Sequence, residues 1–356
     1  MLKPIRMLMG AMMAGCAGIP AWADDSALCL DKQVEACTRL IESGKYDQMN
    51  RAILFADRGA GHNARGELDL AIADDSEAIR LDPRNAIAFF NRGVTYDKKG
   101  ELVLAIADFS EATRINPRFA SALNSRGAAH QAKGELEQAI ADCSEAIRIN
   151  PTYVDAFINR GVAHKAKGEL DLAIADYSEA IRFNPKLADA FYNRGIAHEA
   201  KGELDLAIAD FSEAIRLKPN YADAFINRGV AHEAKDEHDL AIADYSEAIR
   251  INPMSANAFN NRGVAHKAKG ELDLAISDDS EAIRIDPTFA APFYNRGVDH
   301  EAKGEHDLAI ADYSEAIRFN PSWRTRSSIA GSPTKLKTNT TWRSPTIPRP
   351  YTSTRR

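Results

Sequence analysis

The sequence predicts an all-α solenoid of about eight helix–turn–helix units, and three observations carry that prediction. An Arg-Gly pair recurs at Arg58, Arg92, Arg126, Arg160, Arg194, Arg228, Arg262 and Arg296, always 34 residues apart. Self-similarity at a fixed period of this length marks a stacked repeat. Apolar residues inside each period follow helical spacing; in the fourth unit Leu170, Ala173, Ile174, Tyr177, Ala180 and Ile181 form one stripe. Breakers then separate the helices, with Gly168 between the two and Pro185 closing the unit.

Composition agrees with a folded chain. Of 356 residues, 45% are apolar and 27% charged, which excludes a wholly disordered protein. No apolar run approaches the roughly 20 residues of a membrane-spanning helix. The net charge of −6 hides a division: residues 1–23 hold Lys3 and Arg6, residues 322–356 hold two Lys and six Arg, and neither segment has an acid. Without those ten bases, residues 24–321 carry 35 bases against 51 acids, a formal charge of −16. An acidic body argues against nucleic acid as partner, because phosphate binding needs a basic face.

Residues 1–23 read as an export signal. Lys3 and Arg6 form a positive start, Met7 to Ala14 a short apolar stretch, and Ala21-Trp22-Ala23 a cleavage site. Met13-Ala14-Gly15-Cys16 also resembles a loose lipobox, so a lipid-anchored form through Cys16 is the second reading. Membrane association is expected only in that form; otherwise the product is periplasmic or secreted. Export makes Cys29 and Cys37 a candidate disulfide in an oxidising compartment. On one continuous helix their Cα atoms would stand about 12 Å apart, too far to bridge. A bond therefore requires a turn near Leu30 to Lys32; disulfide and free thiols are both open. Within residues 24–51, Val34, Cys37, Leu40 and Ile41 make an amphipathic segment ending at Gly44, suited to capping the array.

Eight units follow over residues 52–323, beginning at 52, 86, 120, 154, 188, 222, 256 and 290. In the first helix of the fourth, Phe157, Gly161 and His164 share a face, and Gly161 with Ala173 permits close helix crossing. One such helix pair cannot bury its apolar faces alone, whereas stacked neighbours can.

Period and pattern resemble the tetratricopeptide repeat. Within each unit that family expects a large residue at position 4, Gly at 8, an aromatic at 11, Ala at 20, an aromatic at 24, Ala at 27 and Pro at 32. The fifth unit has Phe191, Gly195, His198, Ala207, Phe211, Ala214 and Pro219, and Gly, both Ala and Pro fit in all eight. The resemblance implies a right-handed superhelix whose first helices line a concave groove for a protein or peptide, with no cofactor. Position 7 departs, being Arg where the family usually has Leu. Position 24 departs at Asp75, Cys143 and Asp279, which predicts looser packing of those three pairs.

After residue 323 the composition switches to Ser, Thr, Pro, Arg and Lys with no apolar period. Such composition predicts a disordered basic arm. A change of reading frame would produce the same switch, and both readings stand.

Three polar sets recur. Seven His at position 11, among them His198 and His232, would stand about 10 Å apart on stacked helices, too far to share a metal ion. They are expected to be packed, half-buried side chains. His198-Glu199 lacks the second His four residues on that a zinc-protease helix needs. Arg at position 7 and Asp at position 23, as in Arg194 and Asp210, occur in every unit and predict a repeated ion pair; Glu213 and Arg216 illustrate a solvated i,i+3 pair. Asn at position 6 (Asn91, Asn159, Asn193, Asn227, Asn261 and Asn295) can donate to and accept from a peptide backbone, or else bond neighbouring helices. Around it stand Phe90, Ile158, Tyr192, Ile226 and Tyr294 at position 5, and Asp155, Asp189 and Asp223 at position 2. No nucleophile–base pair, phosphate-cradling loop or metal cluster is legible. The expected function is therefore a non-enzymatic scaffold for an extended partner. An envelope assembly factor anchored through Cys16, for example in polysaccharide export, is the alternative.

Overall fold

A computed structural model describes Cys29 and residues 33–323. The expected signal segment with Cys16, and the basic segment 324–356, lie outside the described residues. The described residues form seventeen α-helices and one terminal 3-10 turn, Pro321–Trp323. Two compact units divide at Pro151 and Thr152. The first holds α1 (Val34–Glu42), α2 (Gln48–Arg65), α3 (Leu68–Leu81), α4 (Ala86–Lys98), α5 (Leu102–Ile115), α6 (Ala120–Ala132) and α7 (Leu136–Ile149). The second holds α8 (Val154–Ala166), α9 (Leu170–Phe183), α10 (Ala188–Ala200), α11 (Leu204–Leu217) and α12 (Ala222–Glu233). It continues with α13 (His238–Ile251), α14 (Ala256–Ala268), α15 (Leu272–Ile285), α16 (Ala290–Ala302) and α17 (His306–Phe319). Within each unit every helix packs on the next, and first helices of successive repeats also touch, as α2 does α4 and α10 does α12. This is the predicted all-α solenoid.

Local chemistry sets the breaks. Between the two helices of a repeat, Gly66, Gly100, Gly134, Gly168, Gly202, Gly270 and Gly304 all take φ between +77° and +79°, a conformation that costs L-residues about 1–2 kcal/mol. The sixth repeat puts Asp236 there at φ +60°; a short polar side chain tolerates this region better than most. At the helix crossing, a Cβ on Gly195 would lie 2.7 Å from the Phe211 ring, so glycine lets the buried ring seat against the backbone.

The three departures at position 24 do not behave alike. Cβ atoms on Gly59 and Gly127 would meet Asp75 Oδ1 at 2.9 Å and Cys143 Sγ at 2.8 Å, as close as the aromatic pairs. Those two crossings are tight, contrary to expectation, because the small side chains reach straight to the glycine. Only Gly263 has more room, with Asp279 Oδ1 at 3.3 Å.

At the N-terminal end, α1 buries Val34, Ala36, Cys37 and Leu40, the last three in one cluster with Cys29 and Leu54 of α2. Cys29 is joined to Cys37 by a disulfide with Cα atoms 4.7 Å apart, far inside the separation a continuous helix would impose. α2 begins at Gln48, four residues before position 52, because the Asp47 side chain accepts a hydrogen bond from Asn50 N and caps it there.

Candidate functional site

The repeated Arg and Asp meet in every repeat. Arg194 Nε and Nη2 donate to Asp210 Oδ2 and Oδ1 at 2.8 and 2.7 Å, a bidentate pair whose carboxylate side chain is 7% exposed. Arg194 Nη1 donates to Ser178 Oγ of the preceding repeat at 3.0 Å, so the pair ties neighbouring repeats together. The guanidinium also lies 5.6 Å from the centre of the Phe191 ring at position 4. Equivalent links join Arg92 with Asp108 and Ser76, and Arg262 with Asp278 and Ser246. Arg at position 7 supplies this lattice with its charge and its fork of donors.

The histidines belong to the same lattice. His198 Nδ1 stands 2.6 Å from Glu203 Oε2 in the turn, and its Nε2 3.8 Å from Asp210 Oδ2. The adjacent Lys201 ammonium, and then His198, hold the Glu203 carboxyl below its ordinary range. The same arrangement surrounds His130, His164, His232, His266 and His300. Among the described residues no group of three or more His, Cys, Asp or Glu is placed to hold a metal ion.

The candidate binding residues lie on first helices of the repeats, Phe90 and Asn91 in the first compact unit and the others in the second. Asn227 Nδ2 donates to Tyr192 OH at 3.0 Å and Asn295 Nδ2 to Asn260 Oδ1 at 3.0 Å. Asn91 Nδ2 donates to the Ala56 carbonyl at 3.2 Å. All three bonds run from position 6 to position 5 of the preceding repeat. Asn261 Oδ1 accepts from its neighbour Asn260 at 3.2 Å, and Asn159 is half-buried. Asn193 differs: it is 6% exposed and its Nδ2 has no hydrogen-bond partner. Beside these, Phe90, Tyr192, Ile226 and Tyr294 are half-buried, Ile158 is buried, and Tyr192 stacks 4.8 Å from Tyr221. Burial holds the Tyr192 phenol above its usual range. Asp155 and Asp223 are exposed and Asp189 is half-buried. A row of Val162, Ile196, Val230, Val264 and Val298 at position 9 is half-buried on the same helices. Such a surface offers apolar contact, amides and negative charge together.

A second feature was hidden in the sequence: buried carboxyls without hydrogen-bond partners. Asp75 and Asp279 are fully buried, and Asp299 is 1% exposed. Burial, reinforced by Asp74, pushes the Asp75 carboxyl up to about 9. Burial, with Asp299 nearby, pushes Asp279 well above its ordinary value. Burial lifts Asp299 to about 6, moderated by the Lys267 ammonium 3.6 Å away. The signal for Asp75 and Asp279 was an acid at a position where five other repeats carry aromatics; Asp299 stands where most other repeats carry Ala.

Comparison with known proteins gives a consistent likeness. Family profiles described as "TPR repeat" match residues 62–100, 163–202 and 234–270. Others described as "Tetratricopeptide repeat" match residues 86–119, 120–153 and 188–221. Together they span more than half of the chain. No curated protein matches it. Among solved structures, a tetratricopeptide repeat protein from Parabacteroides merdae is 21% identical and covers 73% of this chain and 98% of its own, with a TM-score of 0.53. The pilF protein of Pseudomonas aeruginosa is 18% identical over 59% of this chain and 96% of its own, with a TM-score of 0.53. YrrB, described as a TPR protein with an unusual peptide-binding site, is 25% identical over 52% and 95%, with a TM-score of 0.45.

Proposed function

Because the chain belongs to the tetratricopeptide repeat family, whose members are generally non-enzymatic scaffolds for protein–protein contact, we propose that it binds an extended peptide or protein segment along the first helices α8 to α16. The observation that carries this reading is Asn193 in the middle of that row, whose buried Nδ2 has no hydrogen-bond partner. A buried donor without a partner costs about 1–3 kcal/mol, which a ligand carbonyl at that place would recover. Asn159 and Asn227 flank it one repeat away on either side. Repeats spaced about 10 Å apart would meet an extended chain, advancing about 3.3 Å per residue, at every third residue or so. Contacts of that kind use the ligand's backbone. The half-buried apolar row and the carboxylates of Asp155, Asp189 and Asp223 then favour apolar and basic ligand side chains.

Replacing Asn193, Asn227 and Asn261 together by Ala tests this. Each contact contributes about 0.5–1.5 kcal/mol, so affinity for a labelled peptide alternating leucine and lysine should fall at least tenfold with helical signal nearly intact. Unchanged affinity, or collapse of the helical signal, assigns the asparagines to structure and moves the binding surface elsewhere.

We place this scaffold outside the cytoplasm. The reading rests on Lys3, Arg6 and Ala21-Trp22-Ala23, and a disulfide between Cys29 and Cys37 suits an oxidising compartment. The mass of the mature N-terminus is expected to correspond to a chain starting at Asp24, or at a lipidated Cys16 in the anchored form. An intact Met1 would rule out both.

A further inference from the structure

The last repeat leaves a face that every earlier repeat covers. Ile310 of α17 is 64% exposed, whereas its counterparts Ile174, Ile208, Ile242 and Ile276 are half-buried. Tyr313 is half-buried, where the equivalent Tyr177 and Tyr245 are sealed at 0% and 1% exposure. Ser314 is exposed and its Oγ donates to the Ile310 carbonyl. The equivalent Ser178, Ser212, Ser246 and Ser280 also accept a hydrogen bond from the Arg Nη1 of the next repeat. Apolar face, half-covered ring and open acceptor together have the shape of a seat for one more first helix with Arg at its seventh position.

The residues after Pro321 are compatible with such a helix in another reading frame. Each shifted codon joins the third base of one residue's codon to the first two bases of the next. The codons available to residues 321–351 then permit Lys-Leu-Ala-Asp-Ala-Phe-Ile-Asn-Arg-Gly-Val-Ala-His-Glu-Ala-Lys-Asp-Glu-His-Asp-Leu-Ala-Ile-Ala-Asp-Tyr-Ser-Glu-Ala-Ile. From its third residue onward this string equals residues 222–249 of the sixth repeat without a mismatch. Trp323 and Trp342 make the test strict, because tryptophan has a single codon. With the arginine that follows each, the shifted codon is restricted to Ala or Glu, and the repeat requires Ala at both places. The next place admits His or Tyr where the repeat has Arg, after which Ile-Asn-Pro is again permitted, as at the end of the third repeat.

We infer that residues 322–354 are the out-of-frame reading of a ninth repeat, displaced by loss of one nucleotide at the codon of Pro321, and that Ile310, Tyr313 and Ser314 form the seat of its first helix. The basic composition after Pro321 is then a consequence of the frame.

Two measurements test the inference. The coding sequence should spell the ninth repeat in the shifted frame; a stop codon or unrelated residues there would overturn it. Next, one nucleotide is inserted in the Pro321 codon, and the product is compared with the full chain by circular dichroism and amide hydrogen exchange. Helical signal should rise, and the amides of residues 306–319 should exchange at least tenfold more slowly. Replacing the new helix's Arg by Ala should return part of that exchange rate. Unchanged exchange over residues 306–319 would overturn the seat, whether or not helical signal rises.

Discussion

Asp279→Tyr should stabilise the protein by about 2–4 kcal/mol, read as a higher urea midpoint. Five of the eight repeats carry Phe or Tyr at this position, and Phe109, Tyr177, Phe211 and Tyr245 are buried to 0% or 1% exposure. Asp279 fills the same place with a fully buried carboxyl whose oxygens have no hydrogen-bond partner. Restoring a ring buries apolar surface worth about 1.5–3 kcal/mol and removes an unsatisfied polar group worth about 1–3 kcal/mol. Gly263 opposite leaves room, as Gly229 does for Tyr245.

The gain should depend on pH, and its sign is set by the direction of the shift. Burial raises the folded-state pKa of Asp279, with Asp299 and Asp278 raising it further and Lys267 and Arg296 opposing. Below about pH 4 the carboxyl is protonated in both folded and unfolded chains, so its stability contribution is complete. As pH rises past that value the unfolded chain ionises while the folded one holds its proton, and stability is lost. The difference between Asp279→Tyr and the parent should therefore widen from pH 5 upward, by at most about 1.4 kcal/mol per unit. Asp279→Asn should flatten this pH dependence without the full gain. A constant difference across pH 5 to 8 would mean that Asp279 is already ionised in the folded state.

Arg194→Ala should destabilise far more than Arg216→Ala. The first removes both donors to Asp210 and the link to Ser178. It strands a carboxylate that is 7% exposed. Breaking a fully buried pair costs about 3–5 kcal/mol; the 22% exposure of Arg194 lowers the expectation to roughly 2–4 kcal/mol. Arg216 is 65% exposed beside Glu213, and its loss should leave the urea midpoint within error. Arg194→Leu combined with Asp210→Ala should recover part of the loss, because the stranded charge rather than the missing pair dominates it. Equal midpoints for the two single variants would remove the ion pairs from the forces that hold the repeats together.

Much of the architecture was legible because it repeats. Gly195, Ala207, Ala214 and Pro219 each have counterparts in all eight units. Periodic residues at helical spacing allow only a helix pair that needs neighbours. The Arg194–Asp210 pair was legible for the same reason, since two charges sixteen residues apart across a tight turn face each other on antiparallel helices. What Asn193 and Asn227 do was not. Both occupy the same position of the same motif, yet Asn227 donates to Tyr192 OH while Asn193 Nδ2 is buried without a partner. The difference lies in the residue one repeat earlier, which is Tyr192 for Asn227 and Ile158 for Asn193. The isoleucine side chain offers no acceptor, and Asn193 Nδ2 does not take up a backbone carbonyl as Asn91 takes that of Ala56.

The sequence by itself determined the helix pairs, their order, their breaks at Gly and Pro, and the repeated pairing of Arg at position 7 with Asp at position 23. These are local properties, set by spacing along one chain and repeated often enough to exclude accident. Only the tertiary structure decided that Asp75 and Cys143 close their helix crossings as tightly as aromatic rings do. It alone decided that Asp279 and Asp299 are buried together, and that Ile310 is exposed where its counterparts are covered. Burial and hydrogen-bond satisfaction depend on what the neighbouring repeat presents at the same height, and that is a relation between helices rather than a property of either one.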